Sequence, residues 1–321
     1  MKAVRYHEAG GPSVLEVEDI ERPTPDDDEM LVAVRAASIN PTDAKRREWG
    51  PGKLPKTTGS DFAGVVESVG SDVTAFGPGD RVCGTGLHTD RFQQGSFAEY
   101  VAVPTDLVAI LPDGVAFEQG AAAALAGVTA WRALVDHARL EPAETCFVHG
   151  GTGGVGHLAV QLSAALSADT IATVGSDGAR RAAEEFGADT VLRYDDEDLR
   201  SAVDREADVV LDHRVHDYFG FDIDIAAFGC RIVQYAGEDG AFDGARTGRS
   251  KNLTIYMMNM SNLATRPECP DVAEPLASVL RLVDRGAIEP RIHHTYELEE
   301  AGEMHRAILE DSFVGKLVLT P

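Results

Sequence analysis

One segment constrains this chain more than any other. After the apolar run TCFVH at 145–149 come Gly150, Gly151, Thr152, Gly153, Gly154, Val155 and Gly156, then HLAVQLSAAL with apolar residues three and four apart. Gly151, Gly153 and Gly156 satisfy GxGxxG between a strand and a helix. Missing side chains at such a turn let the backbone approach a pyrophosphate, and the helix N-terminus stabilises its negative charge. A second strand–helix unit follows, so the expectation is a dinucleotide site rather than a merely tight turn. Its residues are Gly151, Thr152, Gly153, Gly154, Val155 and Gly156.

The rhythm around this motif changes twice. Up to about residue 120 short alternating runs such as LVAVRAASI, GVVESVG, DRVCG and FAEYVAVP are separated by Gly, Pro and Asp turns, which predicts a barrel-like β domain. From about 121 apolar strands alternate with helices: TCFVH, TIATVG, TVLRY, ADVVLD, CRIVQYAG and NLTIYMMN are six candidates for a parallel, doubly wound sheet. After 260 the helix VAEPLASVLRLVDRG, the strand IHHTYEL, the helix EEAGEMHRAILE and the strand GKLVLTP resemble a return to the first domain. The fold class is therefore α/β.

Charge removes whole classes of partner. With 29 Lys and Arg against 53 Asp and Glu the formal net charge is −24, and no cluster of cations is present to neutralise phosphates, so nucleic acid is excluded. Lysine stands only at positions 2, 45, 53, 56, 251 and 316. Such a surface repels itself in dilute buffer, and at about 1 M salt a Debye length of roughly 3 Å removes most of that repulsion. The composition is that of a protein adapted to a salty cytoplasm. No charged-then-apolar leader and no run of 18 apolar residues occurs, which predicts a cytoplasmic protein with no membrane partner. Cys83, Cys146, Cys230 and Cys269 form no CxxC pair; Cys146 and Cys230, in apolar strands, are expected as core thiols.

The end of the second strand selects the dinucleotide. NAD sites place an acid there for the ribose 2′-hydroxyl; here the position is Gly175 or Ser176. Ser176 can donate a hydrogen bond to a 2′-phosphate, and Arg180, with Arg181, can supply positive charge. NADPH is favoured over NADH, although Asp177 nearby argues the other way.

With these residues in hand, the chain resembles the medium-chain dehydrogenase/reductase superfamily over essentially its whole length. The segments that carry the resemblance are MKAVRYHEAGGPSVLEVED, AASINPTDAK, GSDFAGVVESVGSDVTAFGPGDRV, GSFAEYVAVP, LAGVTAWRAL, HGGTGGVGHLAVQL and GKLVL. Within the superfamily the chain is most similar to the zinc-free, zeta-crystallin-like quinone oxidoreductases. The resemblance implies a GroES-like β-barrel catalytic domain at 1–121 and 261–321, a Rossmann domain at 122–260, and an active site in the cleft between them. Zinc members of the superfamily hold their catalytic ion with a Cys and a GHE sequence. The matching positions here are Asn40 and the run Gly59, Ser60, Asp61, which lack the thiolate and imidazole that zinc sites want, so no catalytic zinc is expected. The structural-zinc lobe is absent too, since GTGLHTDRFQQGS holds only His88.

By resemblance Asn40 lies beside the nicotinamide and orients a substrate carbonyl, and Asp43 supports that loop. Both residues also suit a simpler role as caps of a helix starting near Pro41. Lys45 occupies a position that is often Tyr in the family, so a proton comes from Lys45 or from water. Thr129 matches a family position near the cofactor phosphates, and Tyr194 matches the Tyr that, with a Ser and a Lys, surrounds the 2′-phosphate in NADPH-using members; that Lys aligns with Ala179, one residue before Arg180. His213 and His216 read as loop residues rather than ligands. Without a Lewis acid, hydride transfer from NADPH to polarised acceptors remains feasible, and quinones or α,β-unsaturated carbonyls are the expected small-molecule partners. Alternatives are an acrylyl-CoA-type enoyl-CoA reductase, for which Arg246, Arg249 and Lys251 are a small docking patch, a zinc alcohol dehydrogenase, and a non-catalytic NADPH-binding sensor or structural protein. Family members pair edge strands of their Rossmann sheets, so a homodimer through NLTIYMMNM is expected.

Overall fold

The computed structural model describes residues 1–50, 53–195, 199–237, 244–266, 268–269 and 271–321. The chain divides into two compact units, one of Met1–Val128, Met260–Gly286 and Pro290–Pro321, the other of Thr129–Asn259 and Ala287–Glu289.

The second unit is built on a six-stranded sheet, all of whose described pairings are parallel. Across the sheet the strands run Thr190–Arg193, Asp169–Val174, Thr145–Val148, Ala207–Asp212, Ala226–Gln234 and Thr254–Met257. Numbered along the chain this is the order 3-2-1-4-5-6 of a dinucleotide-binding fold. Central strands such as TCFV are buried at every residue, because a parallel sheet is covered on both faces and each strand then needs an uninterrupted apolar run. Phe147, Ile171, Val210, Ile223 and Ile232 share one core beneath the helix Val215–Ile225.

The first unit carries a seven-stranded sheet whose path is Ile292–Glu297, Lys316–Thr320, Glu29–Ser38, Asp61–Val69, Arg81–Gly84 and Val108–Ile110, with Tyr100–Pro104 also paired to Glu29–Ser38. Lys2–Tyr6, Glu16–Asp19 and Lys56–Thr57 form a smaller antiparallel sheet. Register in the larger sheet brings three strand ends together. Ser38 stands opposite Asp61 on one side and opposite Val318 on the other, so the chain leaves its longest strand at Ile39 and Asn40 flanked by the starts of two others.

Three features depart from the sequence reading. The stretch FEQGAAAALAGVTAW, passed over between the two rhythms, forms a helix, Phe117–Trp131, continued by a π-helical turn at Arg132–His137. Its alanines give little periodic contrast because nearly every face is buried. His216 is not a loop residue: it lies on the helix Val215–Ile225, while His213 lies in the bend before it. The strand expected at NLTIYMMN is shorter, at Thr254–Met257. No helix among the described residues is long and apolar enough to cross a membrane.

Candidate active site

In the first unit the helix Pro41–Trp49 starts directly after the long strand, with Asn40 at its N-cap and Pro41 in its first turn, an arrangement that leaves no orphaned proline N–H. Asp43 reaches back so that its Oδ2 accepts from the Asn40 backbone N–H at 2.8 Å. The capping role expected of Asp43 is therefore real. The Asn40 carboxamide is engaged elsewhere. Its Nδ2 donates to Asp61 Oδ2 at 2.7 Å, and its Oδ1 accepts from the Lys316 ammonium at 2.6 Å.

Asp61 is the centre of this network and is fully buried. Its Oδ2 also accepts from Ser38 Oγ at 2.8 Å, and its Oδ1 accepts from Thr85 Oγ1 at 2.5 Å and from the Leu125 N–H at 3.3 Å. Lys316 Nζ lies 3.7 Å from Asp61 Oδ2 and donates to Ile39 O at 2.7 Å. Burial lowers the Lys316 pKa, and the carboxylates of Asp61 and Asp43 act against that shift. Burial and the neighbouring Asp61 charge push Asp43 up to about 7.

These contacts bear on metal chemistry. Asn40 and Asp61 stand at the positions matched to zinc ligands, and they do meet as a pair. What bridges them is an ammonium group within hydrogen-bond reach of one and ion-pair reach of the other. An amide, a carboxylate and a lysine are a poor set for zinc, which favours thiolate and imidazole. His88 is not turned toward the pair: its Nδ1 is 3.2 Å from Ser60 Oγ and its Nε2 is 3.0 Å from Ser261 Oγ. Lys45 stays outside the network, with its ammonium 6.0 Å from the centre of the Trp49 ring.

In the second unit the glycine turn fits a pyrophosphate for reasons visible atom by atom. A Cβ on Gly151 would fall 2.6 Å from Ala172 Cβ, and one on Gly156 would fall 2.0 Å from Gly150 O. Packing alone demands glycine at both. At Gly153 a Cβ would meet only Gly150 O, at 3.4 Å, so the fold itself leaves room there, as expected where a ligand backbone approaches. Thr152 is buried in the turn and Val155 is the N-cap of the helix Gly156–Ala165. The Tyr194 hydroxyl would lie 3.2 Å from a Cβ on Gly150 and hydrogen-bonds Thr173, and burial pushes its pKa up to about 12. Thr129 is buried in the helix Phe117–Trp131.

The residues expected at a 2′-phosphate are placed less simply. Ser176 is exposed and caps the helix Asp177–Glu185, its Oγ accepting from the Ala179 N–H at 3.2 Å; the hydroxyl proton stays available to an acceptor. The Arg180 guanidinium donates to the Val191 carbonyl, whereas Arg181 is exposed on the same helix. Asp177, the residue that argued for NADH, pairs with Arg193 at 3.0 Å.

Sequence reasoning passed over two clusters. One is the Lys316–Asp61 pair, whose only sequence signal is a lysine opening an apolar strand in a chain that scarcely uses lysine. The other is His149, Asp212 and Asp222, all buried, whose potential ligand atoms lie within 4.8 Å of one another. His149 Nε2 is 2.8 Å from Asp222 Oδ1. Burial pushes Asp222 up to about 8; burial first, and then the Asp222 charge, push Asp212 up to about 6.

Residues 26–113 match the alcohol dehydrogenase GroES-like domain, and residues 186–319 match the family described as zinc-binding dehydrogenase. The quinone oxidoreductase of Homo sapiens is 31% identical over 330 residues, covering 99% of this chain and 97% of that protein. Among solved structures, an NAD-dependent alcohol dehydrogenase is similar over 100% of both chains, with 31% identity and a TM-score of 0.90. The Escherichia coli quinone oxidoreductase complexed with NADPH is similar over 100% of both chains, with 27% identity and a TM-score of 0.85. A GroES-like domain, a parallel sheet in the 3-2-1-4-5-6 order and full-length relatives at this identity lead to one assignment: the chain belongs to the quinone oxidoreductase family of the medium-chain dehydrogenase/reductase superfamily.

Proposed function

We propose that this chain is an NADPH-dependent, zinc-independent reductase that directs hydride to quinones or α,β-unsaturated carbonyls. The observation that carries the reading is the Asn40–Asp61–Lys316 network. It puts a hydrogen-bond donor and a built-in cation at the positions where zinc members keep metal ligands. When bound, the nicotinamide supplies the hydride. The Asn40 Nδ2 bears two hydrogens, of which Asp61 takes one; the other donates to the acceptor's carbonyl oxygen and stabilises the charge that builds there. As the conjugated carbon or quinone oxygen gains hydride, the remaining site takes a proton from Lys45 or water. Thr129, the glycine turn and Tyr194 hold the phosphates, and Ser176 with Arg180 or its exposed neighbour Arg181 favours a 2′-phosphate. The Escherichia coli relative that binds NADPH supports this preference, and the NAD-dependent alcohol dehydrogenase makes NADH the comparison to run.

The test is loss of absorbance at 340 nm with metal-free protein in high salt, against a panel of quinones and enones, with NADPH and NADH in parallel. Failure to oxidise either cofactor with every acceptor overturns the proposal; saturable binding without turnover supports a sensor instead. Gly153→Val is expected to weaken NADPH binding while leaving the fold intact. An enoyl-CoA substrate is less favoured because Lys251 is already committed, donating to the carbonyls of Ile223, Asp224 and Ala226 at 3.0, 3.0 and 2.7 Å.

We further propose a cytoplasmic homodimer that needs salt for stability. Thr254–Met257 closes one end of its sheet with Ile255 and Met257 42% and 60% exposed, and Phe228 on the neighbouring strand is 76% exposed. An apolar open edge of this kind is covered when a second copy continues the sheet across a two-fold axis. Light scattering during chromatography at high salt should give twice the chain mass, and a monomer would overturn the dimer. Melting temperature should rise between 0.1 and about 1 M salt as surface repulsion is screened.

A further inference from the structure

We propose that Lys316 is a positioning residue of the reductase, holding the Asn40 carboxamide in one of its two flips. This inference rests on the functional reading above. An asparagine side chain has nearly the same shape when its oxygen and nitrogen exchange places, so its orientation is set by its partners. At Asn40 both partners are charged and of opposite sign. The oxygen faces the Lys316 ammonium at 2.6 Å and the nitrogen faces the Asp61 carboxylate at 2.7 Å. Reversing the amide would set oxygen against carboxylate and N–H against ammonium, trading two charge-assisted hydrogen bonds for two repulsions.

Lys316 is suited to this work by what else it touches. Its ammonium has three hydrogens and three neighbours: Ile39 O at 2.7 Å, Asn40 Oδ1, and Asp61 Oδ2 at 3.7 Å. It therefore fixes the peptide before Asn40 as well as the side chain. The lysine sits on a strand buried over four of its five residues, a rigid support of the kind that holds a donor in place. A cation at the amide oxygen also draws electron density away from the nitrogen, so the unused Nδ2–H becomes a stronger donor. In this role Lys316 touches no reacting atom and acts through Asn40 and the peptide that carries it.

The chain has four asparagines, at 40, 252, 259 and 262, so selective 15N-asparagine labelling resolves the Asn40 side chain. In the wild type its two amide protons should be distinct and protected from exchange with water. Lys316→Met should weaken that protection, leaving only the Asp61 bond, and lower kcat/KM for a quinone by about ten- to a hundredfold, with NADPH affinity unchanged. In an Asn40→Ala background the same substitution should cost less than about twofold, because the residue through which it acts is gone. If Lys316→Met does not fold, Lys316→Gln keeps an N–H for the Asn40 oxygen without the charge, and partial protection with a smaller kcat/KM loss is expected. An unchanged Asn40 amide signal in the folded variant, or an undiminished cost in the Asn40→Ala background, overturns the proposal. A wild type that reduces no acceptor sinks the functional reading instead, and the amide signal still decides whether Lys316 sets the flip.

Discussion

Each unit of this protein buries acidic side chains, and Asp61 of the first and Asp222 of the second are accommodated in opposite ways. In the first, Asp61 accepts from Ser38, Asn40, Thr85 and the Leu125 backbone, with the Lys316 ammonium nearby. In the second, Asp222 Oδ1 lies 2.8 Å from His149 Nε2, Asp212 Oδ1 accepts from the Arg214 N–H, and the Asp212 and Asp222 carboxyls interact with each other. A buried carboxylate can be matched by donors and a cation or neutralised by a proton. The first unit matches Asp61, while Asp43 near it is pushed up to about 7; in the second, Asp222 is pushed up to about 8 and Asp212 up to about 6. An ion matched by neighbours fixes geometry. A proton leaves when the pH changes.

The sharpest way to break this contrast is to remove each acid in turn. Asp61→Ala leaves the buried Lys316 ammonium and the Asn40 amide without their common acceptor, and a loss of about 3–5 kcal/mol of stability is expected. Urea unfolding in high salt measures it. Asp222→Asn exchanges a largely neutral carboxyl for a neutral amide of the same shape whose oxygen can still accept from His149, and near pH 6.5 it should cost about 1 kcal/mol or less. Equal losses from the two substitutions would mean that Asp222 is as dependent on its charge as Asp61, and the contrast would fail.

The pH dependence sharpens it further. Asp222, Asp43 and Asp212 have folded-state values raised to about 8, 7 and 6 from 3.8. Each retains its proton longer when folded, so its contribution is present at low pH and is lost as pH rises toward the raised value. His149 and His213, lowered to about 4 by burial, work the other way, but only below their ordinary value of 6.5. Between pH 6.5 and 8 Asp222, joined by Asp43 up to about pH 7, acts alone among these groups, and stability should fall with rising pH. The steepest slope for a single group is about 1.4 kcal/mol per pH unit. Asp222→Asn should remove the Asp222 share and gain on the wild type across this window; a wild type whose urea midpoint is flat from 6.5 to 8 would show that no such proton is held.

Much of this architecture is legible in the amino-acid order alone. Short runs between Gly, Pro and Asp turns, then apolar runs separated by helices, announce a barrel-like sheet and a parallel one, although the longest strand of the first, Glu29–Ser38, is itself buried on both faces over most of its length. The glycine turn is legible because two of its glycines are dictated by contacts under 3 Å. Asn40 and Asp43 come from one short motif, in which both the cap and the site are local. Lys316 is not legible, since it meets Asn40 from a strand 276 residues away and a single lysine before LVL says nothing about its partners. For Arg180, proximity in sequence to Ser176 suggests a phosphate, and the hydrogen bond from its guanidinium to the Val191 carbonyl is a second partner that no spacing reveals. The His149–Asp222 pair needs a helix to return over the sheet, which no spacing reveals.

The scarcity of lysine turns the comparison into a last, smaller prediction. Of the six lysines, Lys56 and Lys316 are buried, and these two and the half-buried Lys251 each donate to backbone carbonyls. An acidic surface that is screened by salt gains little from exposed lysine, so those that remain serve mainly where a compact ammonium with three donors joins several acceptors at once. Lys251, in the second unit, is placed at the end of the helix Val215–Ile225, where it satisfies the carbonyls of Ile223, Asp224 and Ala226. Lys251→Met should therefore lower stability by about 1 kcal/mol, the scale of lost terminal carbonyl bonds and helix-dipole compensation. Lys53→Ala, at an exposed position, should stay within about 0.5 kcal/mol of the wild type. Melting temperatures in high salt separate the two, and equal shifts would mean that the internal ammonium groups are incidental to the fold rather than the reason lysine persists in it.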